Sequence, residues 1–305
     1  MPLVTVLIVT YNHARYIAEA IDSALAQVTD FDVEILISED ASTDGTRTIV
    51  EDYARRFPER IRLLLSQTNL RSNQTVARGL RAARGEFVAL LDGDDYWSTT
   101  DKLQRQAGFL LRHADCAAHF FNARVAHAAI LTDALWTPPN QAKRVDLREI
   151  WHGNPYATAG GMMRLAPIRD VPSWYDDFFP RTDWPLYILC AMTGDLAFDP
   201  EPTAVYRLHE GGMFSTGSET AKLDSTFTFL IRMDRCLGRR HHDLARAGAT
   251  RLFFDWAADY LDHRQVSLAR RALFHSLRSG GIGSEVGWRQ FLSLALKLAR
   301  TEGRP

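Results

Sequence analysis

The stretch from Glu86 to Trp97, EFVALLDGDDYW, constrains this chain more than any other. Phe87 to Leu91 is an unbroken apolar run that ends abruptly at Asp92, Gly93, Asp94 and Asp95. An apolar run without alternation reads as a strand buried on both faces, as in a parallel sheet. Its carboxyl end would then deliver three carboxylates to the rim where open α/β sheets bind their ligands. Carboxylates crowded in this way repel and raise each other's pKa unless a cation lies among them. A divalent ion with oxygen ligands, magnesium or manganese, is the economical resolution. The plain alternative is an acidic turn, since Asp-Gly is ordinary turn chemistry.

The segments around this strand alternate. Val4 to Thr10 is rich in β-branched residues and is followed, after Tyr11-Asn12-His13, by Ile17, Ile21, Ala24 and Leu25 at helical spacing. Val33 to Ser38 is a second strand, Asp44-Gly45-Thr46 opens a helix carrying Ile49, Val50, Tyr53 and Phe57, and Ile61 to Leu65 is a third strand. A helix over Gln74 to Ala83 leads into Phe87. Such alternation predicts right-handed βαβ units and an α/β fold: a mostly parallel central sheet with helices on both faces. Beyond Trp97 the spacing predicts a helix through Leu103, Ala107, Leu110 and Leu111, short strands over Ala117 to Phe121 and Thr158 to Met163, and a helix from Asp183 to Met192. Strands over Leu196 to Phe198 and Thr203 to His209 precede a Glu210-Gly211-Gly212 loop. From about Ser218 everything reads as helix, with Arg246 to Leu261 and Val266 to Leu277 as an αα-hairpin and Trp288 to Arg300 as a last amphipathic helix.

Composition narrows the class. With 305 residues, 46% of them hydrophobic, and a mean hydropathy of −0.20, the chain reads as an ordinary globular protein with one large domain and an appendage. Cys116, Cys190 and Cys236 are odd in number and far apart, which argues against a disulfide framework, and Cys116 with His119 lacks a second pair to make a zinc site. No apolar run reaches 18 residues, and MPLVTVLIVTYNHARY lacks the basic flank and cleavage site of a signal peptide, so the first residues are expected to form a core strand. Charge is uneven: Ser225 to Pro305 holds 14 Arg and Lys against 7 Asp and Glu, a net of +7, which leaves −8 for the rest of a chain whose total is −1. A basic tail suits an anionic membrane or nucleic acid, although solvated helix faces produce the same count more often.

Three predicted strand ends, Thr10-Tyr11-Asn12, Asp40-Ala41-Ser42 and Asp92-Gly93-Asp94-Asp95, fall on one rim of a parallel sheet. Together they offer hydrogen-bonding groups, an acceptor carboxylate and a metal seat, which suits a nucleotide diphosphate. Neither GxGxxG nor GxxxxGK[ST] is present, so a diphosphate here is expected to be neutralised by metal rather than cradled by a glycine-rich helix start. In this order VTVLIVTYNHARYIAEAIDSALAQ, ISEDASTDGT, ARGEFVALLDGDDYW, RTDWPLYILCAMTGDLAF and AVYRLHEGG resemble the inverting family-2 glycosyltransferases of the A-type nucleotide-sugar-binding fold, from Val4 to roughly Ser215.

That resemblance implies a catalytic domain over 1–215, with 1–97 the nucleotide-binding half and 98–215 the acceptor half, and a helical extension over 216–305. It implies that Thr10, Tyr11 and Asn12 border the nucleoside, that Asp40 accepts from the base of a UDP- or dTDP-sugar, and that Asp92 and Gly93 face the donor. Asp94, with His209, would hold manganese or magnesium, and Asp183 would be the catalytic base, with Asp176 and Asp177 its rivals. Asp40 also reads as a turn-capping residue, Ser42 and Asp44 as turn and helix-cap residues, and Asp183 as a helix cap. Where relatives carry a glycine turn after Asn69, this chain has Leu70-Arg71-Ser72-Asn73, and Arg71 or Arg78 is left to reach a diphosphate. The implied activity moves a sugar to a glycan or lipid-linked acceptor in cell-surface polysaccharide or glycolipid assembly. It needs no nucleic-acid partner and suits the cytoplasm, with the C-terminal helices as a peripheral contact to the inner membrane face or as a homodimer contact. Two other readings start from the same residues. One is a phosphohydrolase using Asp92 as nucleophile, although that signature wants Thr or Val where this chain has Tyr96; the other is a non-catalytic sugar-nucleotide-binding scaffold.

Overall fold

The computed structural model describes residues 1–127, 130–210 and 218–302, and the Gly211-Gly212 turn lies outside them. The chain divides into two compact units, Met1–Asp146 with Pro155–Gly212, and Leu147–Asn154 with Met213–Pro305.

In the first unit strand and helix alternate through the seventh element, β1 (Val4–Thr10), α1 (Ile17–Leu25), β2 (Val33–Glu39), α2 (Thr46–Arg56), β3 (Ile61–Leu65), α3 (Gln74–Ala82) and β4 (Phe87–Asp92), and then β5 (Tyr96–Trp97) and α4 (Lys102–Arg112) follow. The strands β6 (Cys116–His127), β7 (Ile130–Leu135), β8 (Arg144–Val145), β9 (Gly161–Arg164) and β10 (Asp195–Leu208) complete the sheet. The helix α6 (Asp183–Ala191) falls within this last series, while α5 (Leu147–His152), which lies between β8 and β9 in the chain, belongs to the second unit. The sheet order is β3-β2-β1-β4-β9-β6-β10-β5, with β7 on β6 and β8 on β10. Strands β1 to β4 pair in parallel, as do β6 and β10, and the short strands β5, β7, β8 and β9 pair antiparallel. The central strands are apolar on both sides, as parallel strands covered by helices must be: Val6, Leu7 and Ile8 of β1 and Phe87, Val88 and Ala89 of β4 are all fully buried.

Two sequence expectations are corrected here. Thr158 to Met163 is not a single strand: Thr158–Gly160 is a 3-10 turn, and only Gly161–Arg164 joins the sheet. The carbonyls of Ala159 and Gly160 accept from Trp97 Nε1 at 2.9 Å and Gln106 Nε2 at 2.9 Å, so side chains take the place of a strand ladder. The two strands read over Leu196 to Phe198 and Thr203 to His209 are one strand, β10. Pro202 cannot donate to a ladder, and register shifts around it against β6 absorb the missing bond without ending the strand.

The second unit contains α5 with α7 (Glu219–Cys236), α8 (His242–Asp262), α9 (Val266–Ser279) and α10 (Trp288–Glu302). Ser218 Oγ caps α7 by accepting from Ala221 N–H at 3.2 Å. Gly248 lets α8 run against α5, because a Cβ there would lie 2.6 Å from Trp151 Cβ and 2.7 Å from its backbone.

Lys102, at the start of α4, is fully buried; its Nζ donates to Gln106 Oε1 at 2.6 Å and lies 4.6 Å from the centroid of the Trp97 ring. Burial pulls its pKa down from 10.5 to about 7. The unfolded chain therefore holds a proton on this amine that the folded chain releases, so this residue makes stability rise with pH between about 7 and 10. Thermal unfolding of Lys102→Met across that window is expected to show a flatter pH dependence than wild type; equal slopes would show that the amine is charged when buried.

Candidate active site

The carboxyl ends of β1, β2 and β4 lie side by side on the rim, and the loops beyond them clasp one another. Asn12 takes a positive φ of 55° and reaches across from the end of β1: its N–H donates to Ser42 Oγ at 2.9 Å, and its Oδ1 accepts from Thr43 N–H at 2.8 Å. His13 N–H donates to Thr46 Oγ1 and Ala14 N–H to Asp44 Oδ2, both at 2.9 Å. The cap position of α2 is Gly45, with no side-chain cap bond, and Asp44, one residue earlier, accepts from Thr46 N–H at 3.0 Å through Oδ1. Thr10 is buried, Tyr11 stands exposed beside it, and Gly93 N–H donates to Val9 O at 2.8 Å.

Asp40 lies at the end of β2, where its N–H donates to Thr10 O at 3.0 Å. Its Oδ1 accepts from Leu70 N–H at 3.0 Å and from Ser66 Oγ at 3.2 Å, which ties down the loop after β3. One oxygen of this carboxylate is thus committed to holding the loop. Arg78 does not point at a diphosphate: its guanidinium donates to Ser38 Oγ, Ser66 Oγ and the carbonyls of Glu39 and Leu64. Arg47 is likewise held by the buried Glu39.

At the end of β4 the three carboxylates separate into different roles. Asp95 is buried; its Oδ1 accepts from Arg207 N–H at 2.8 Å, while its Oδ2 has no partner. Burial, then the neighbouring Asp94 and Asp92, holds its pKa well above the usual carboxylate range. Asp92 is half-buried, and desolvation followed by the charges of Asp94 and Asp183 pushes it up to about 8. Asp94 keeps a partly exposed side chain whose Oδ2 lies 3.0 Å from His209 Nε2 and 3.6 Å from His13 Nε2. Arg207, one strand position short of the end of β10, is the compensating cation: Nη1 donates to Asp94 O at 2.6 Å, Nη2 pairs with Glu19 of α1, and the guanidinium packs over Tyr96 and Tyr16.

A hard divalent ion fits this donor set. Repulsion among Asp92, Asp94 and Asp95 and the unpartnered Asp95 Oδ2 mark a deficit of positive charge. Asp94 and His209 would supply two ligands to it. Among the described residues no group of three His, Cys, Asp or Glu side chains is set to hold an ion unaided. Such an ion would complete its shell with phosphate oxygens and water, the usual arrangement for magnesium and manganese.

Asp183 is the first residue of α6, with Thr182 at the cap position and Asp183 Oδ1 accepting from Trp184 N–H at 2.7 Å. It lies near enough to Asp92 to raise it, and burial with these two carboxylates holds the Tyr175 phenol up. Asp176 and Asp177 fall instead in a 3-10 turn over Ser173–Phe178. The buried Asn73, in the segment that departs from the relatives' glycine turn, donates from Nδ2 to the carbonyls of Tyr175 at 2.8 Å and Arg181 at 3.0 Å. It thereby sets the stretch leading into Asp183.

The residues that sequence reasoning passed over are His13, Glu19, Asn73 and Arg207. His13 directly follows the Tyr11-Asn12 pair, and Arg207 precedes His209 on the same strand face, so proximity to named residues was their only signal. Trp97, Trp151 and Trp184 are buried in the core. Trp136 is exposed, and its ring lies 4.4 Å from that of Tyr206, whose phenol burial and then Asp95 and Asp92 hold far above its ordinary value.

An open α/β sheet with a carboxylate-rich rim at its switch of strand order is a nucleotide-site architecture. Residues 5–166 match glycosyl transferase family 2, and the chain belongs to that family. It is 36% identical over 211 residues to an uncharacterized protein of Mycobacterium tuberculosis, covering 69% of this chain and 60% of that protein's length. It is 40% identical over 121 residues, 39% of this chain and 46% of the relative, to a Bacillus subtilis protein named as the teichuronic acid biosynthesis glycosyltransferase TuaG. The fold is similar to that of S. aureus TarS 1-349 in complex with UDP-GlcNAc, with a TM-score of 0.65 and 18% identity over 98% of this chain and 88% of TarS. It is also similar to the mannosyltransferase PcManGT from Pyrobaculum calidifontis in complex with GDP-Man and Mn2+, with a TM-score of 0.54 and 19% identity over 100% of this chain and 81% of that one.

Gly93 has a packing reason to be glycine, since a Cβ there would lie 2.7 Å from Thr10 Oγ1 and 2.9 Å from His13 Nδ1. Gly93→Ala is expected to cost about 1–3 kcal/mol by overpacking, read from urea unfolding. Unchanged stability would mean that the β1 and β4 loops separate freely.

Proposed function

We propose that this chain is a metal-dependent, inverting glycosyltransferase that moves a sugar from a nucleotide-diphosphate sugar to an acceptor hydroxyl. The observation that carries the reading is the Asp94 carboxylate set between His209 and His13, beside the buried Asp95 and beside Asp92, which Asp183 raises. Asp94 and His209 would hold manganese or magnesium, which supplies charge stabilisation to the departing diphosphate. Thr10, Tyr11 and Asn12 border the nucleoside, and Asp40 accepts from a uracil- or thymine-type imide. Asp92 and Gly93 face the donor sugar and phosphates. Asp183 takes the proton from the acceptor hydroxyl as that oxygen bonds to the anomeric carbon and the bond to the diphosphate breaks on the opposite face, so configuration inverts. A UDP- or dTDP-sugar is the favoured donor, in line with the UDP-GlcNAc bound by TarS. The acceptor is a glycan or lipid-linked species of cell-surface polysaccharide assembly, in line with the name of the TuaG relative.

Asp183→Asn is expected to retain donor binding, read as stabilisation on heating with UDP-sugar and manganese, and to lose at least about 100-fold in turnover. Asp176→Asn and Asp177→Asn are expected to stay near wild type. Full turnover by Asp183→Asn would remove it as the base. Asp94→Asn, or chelation of the wild type, is expected to abolish the metal-dependent part of that stabilisation; persistence of the shift would remove the metal from the reading.

The helical unit is proposed to rest on an anionic membrane face. No helix of the described residues is long and apolar enough to cross a membrane. On α10 the exposed Trp288, Leu292 and Leu296 recur every four residues among the exposed Arg289, Lys297 and Arg300, the composition of an interfacial helix. Leu292→Ser with Leu296→Ser is expected to reduce co-sedimentation with anionic vesicles at low salt. Equal sedimentation of the variant would assign α10 another contact, a homodimer among them.

A further inference from the structure

Within the helical unit, α7, α8 and α9 enclose a recess of about 350 Å³. Its charged lining is Arg235, Arg239, Arg246, Arg278, His242 and Asp234, above an apolar wall from α7 and α8. The single carboxylate among the lining residues, Asp234, is already engaged by His242 Nδ1 at 2.7 Å. None of the four guanidiniums lies within ion-pair distance of a carboxylate among the described residues. Elsewhere in the same unit Arg251 is paired with Asp255, Arg271 with Asp224 and Arg148 with Glu285. What sets these four apart is that they line one recess together.

Two of the four are held in place. Arg246 donates from Nη2 to the carbonyl of Gly280, and the Arg278 guanidinium lies 5.2 Å and 5.5 Å from the ring centroids of Phe227 and Phe274. The other two, Arg235 and Arg239, are exposed at the end of α7 and in the turn that follows it. His242 and Arg246 belong to the first turns of α8, whose positive end adds to the field, while Arg235 and Arg278 stand in the last turns of α7 and α9, whose negative ends offset part of it. Like charges brought together around one space raise the energy of the folded chain unless an anion shares the space. Planar guanidinium forks bind phosphate oxygens two at a time, and a phosphate group balances more of this charge than a carboxylate would.

We propose that this recess is an anion site for a phosphate monoester or diphosphate group, built from residues of the helical unit alone and separate in its residues from the carboxylate-lined rim. The group can come from a soluble phosphate compound or from an anionic phospholipid headgroup, and the probes separate the two. The full-length chain in chelator is titrated calorimetrically with inorganic pyrophosphate, against chloride at equal ionic strength. In parallel it is sedimented with phosphatidylcholine vesicles with and without phosphatidic acid. The variant Arg235→Gln/Arg239→Gln removes two charges that make no contact the fold depends on, and Arg251→Gln is the control elsewhere in the unit. The expected result is that one probe binds wild type and Arg251→Gln alike and binds the double variant at least about tenfold more weakly. Pyrophosphate loss identifies a soluble ligand, and loss confined to phosphatidic acid vesicles identifies a headgroup. No binding of either probe to wild type, or equal binding by the double variant, overturns the site. Asp94→Asn is expected to leave this binding unchanged, so the result stands apart from the transferase reading.

Discussion

The carboxylates at the end of β4 crowd one another, and Arg207 braces the turn that carries them. Its backbone N–H is bound by Asp95, its side chain by Asp94 O and Glu19, and its guanidinium is walled by Tyr16 and Tyr96. One arginine thus joins β10, the turn after β4 and helix α1. The compensation is partial by construction. Burial and the neighbouring Asp94 and Asp92 hold the Asp95 pKa up while the Arg207 N–H bond opposes them, and burial, then Asp94 and Asp183, pushes Asp92 up to about 8. The rim therefore carries a concentration of carboxylates that its own cations do not fully offset.

The same rim is made rigid by contacts that have nothing to do with chemistry. Asn12 in a left-handed conformation locks the β1 loop to Ser42 and Thr43, Asp40 holds the chain at Leu70, and Asn73 fixes the turn before Asp183. Each of these polar side chains satisfies backbone groups that a loop leaves without partners. Several residues that look like ligands in the sequence are thus also struts, and Arg78 is only a strut. A half-buried guanidinium donating to four acceptors commits all but one of its five N–H groups to the fold, and burial lowers its pKa.

Legibility followed locality. Strand β1 and strand β4 could be read to the residue or nearly so, because both faces of each are covered and the apolar run has no polar interruption. Thr158–Gly160 could not, because its carbonyls are taken by Trp97 and Gln106, residues far away in the chain. Nor could the continuity of β10 across Pro200 and Pro202, since a proline pair reads as a break unless a neighbouring strand is known to shift register with it. His13 has the same history: nothing around it in the chain distinguishes it from a helix-start residue until β4 brings Asp94 alongside.

By itself the sequence determined the α/β class, the order of strand and helix through the first half, and the presence of three carboxylates where a parallel strand ends. Periodicity and apolar runs are local quantities, and they suffice for that. Tertiary structure decided which of those carboxylates is buried against Arg207, which is set between two histidines, and which is raised by its neighbours, because burial and charge depend on groups up to 115 residues apart in the chain. It also decided that four arginines of a basic tail gather around one recess while others on the same helices pair with carboxylates, a distinction that a count of charges cannot make.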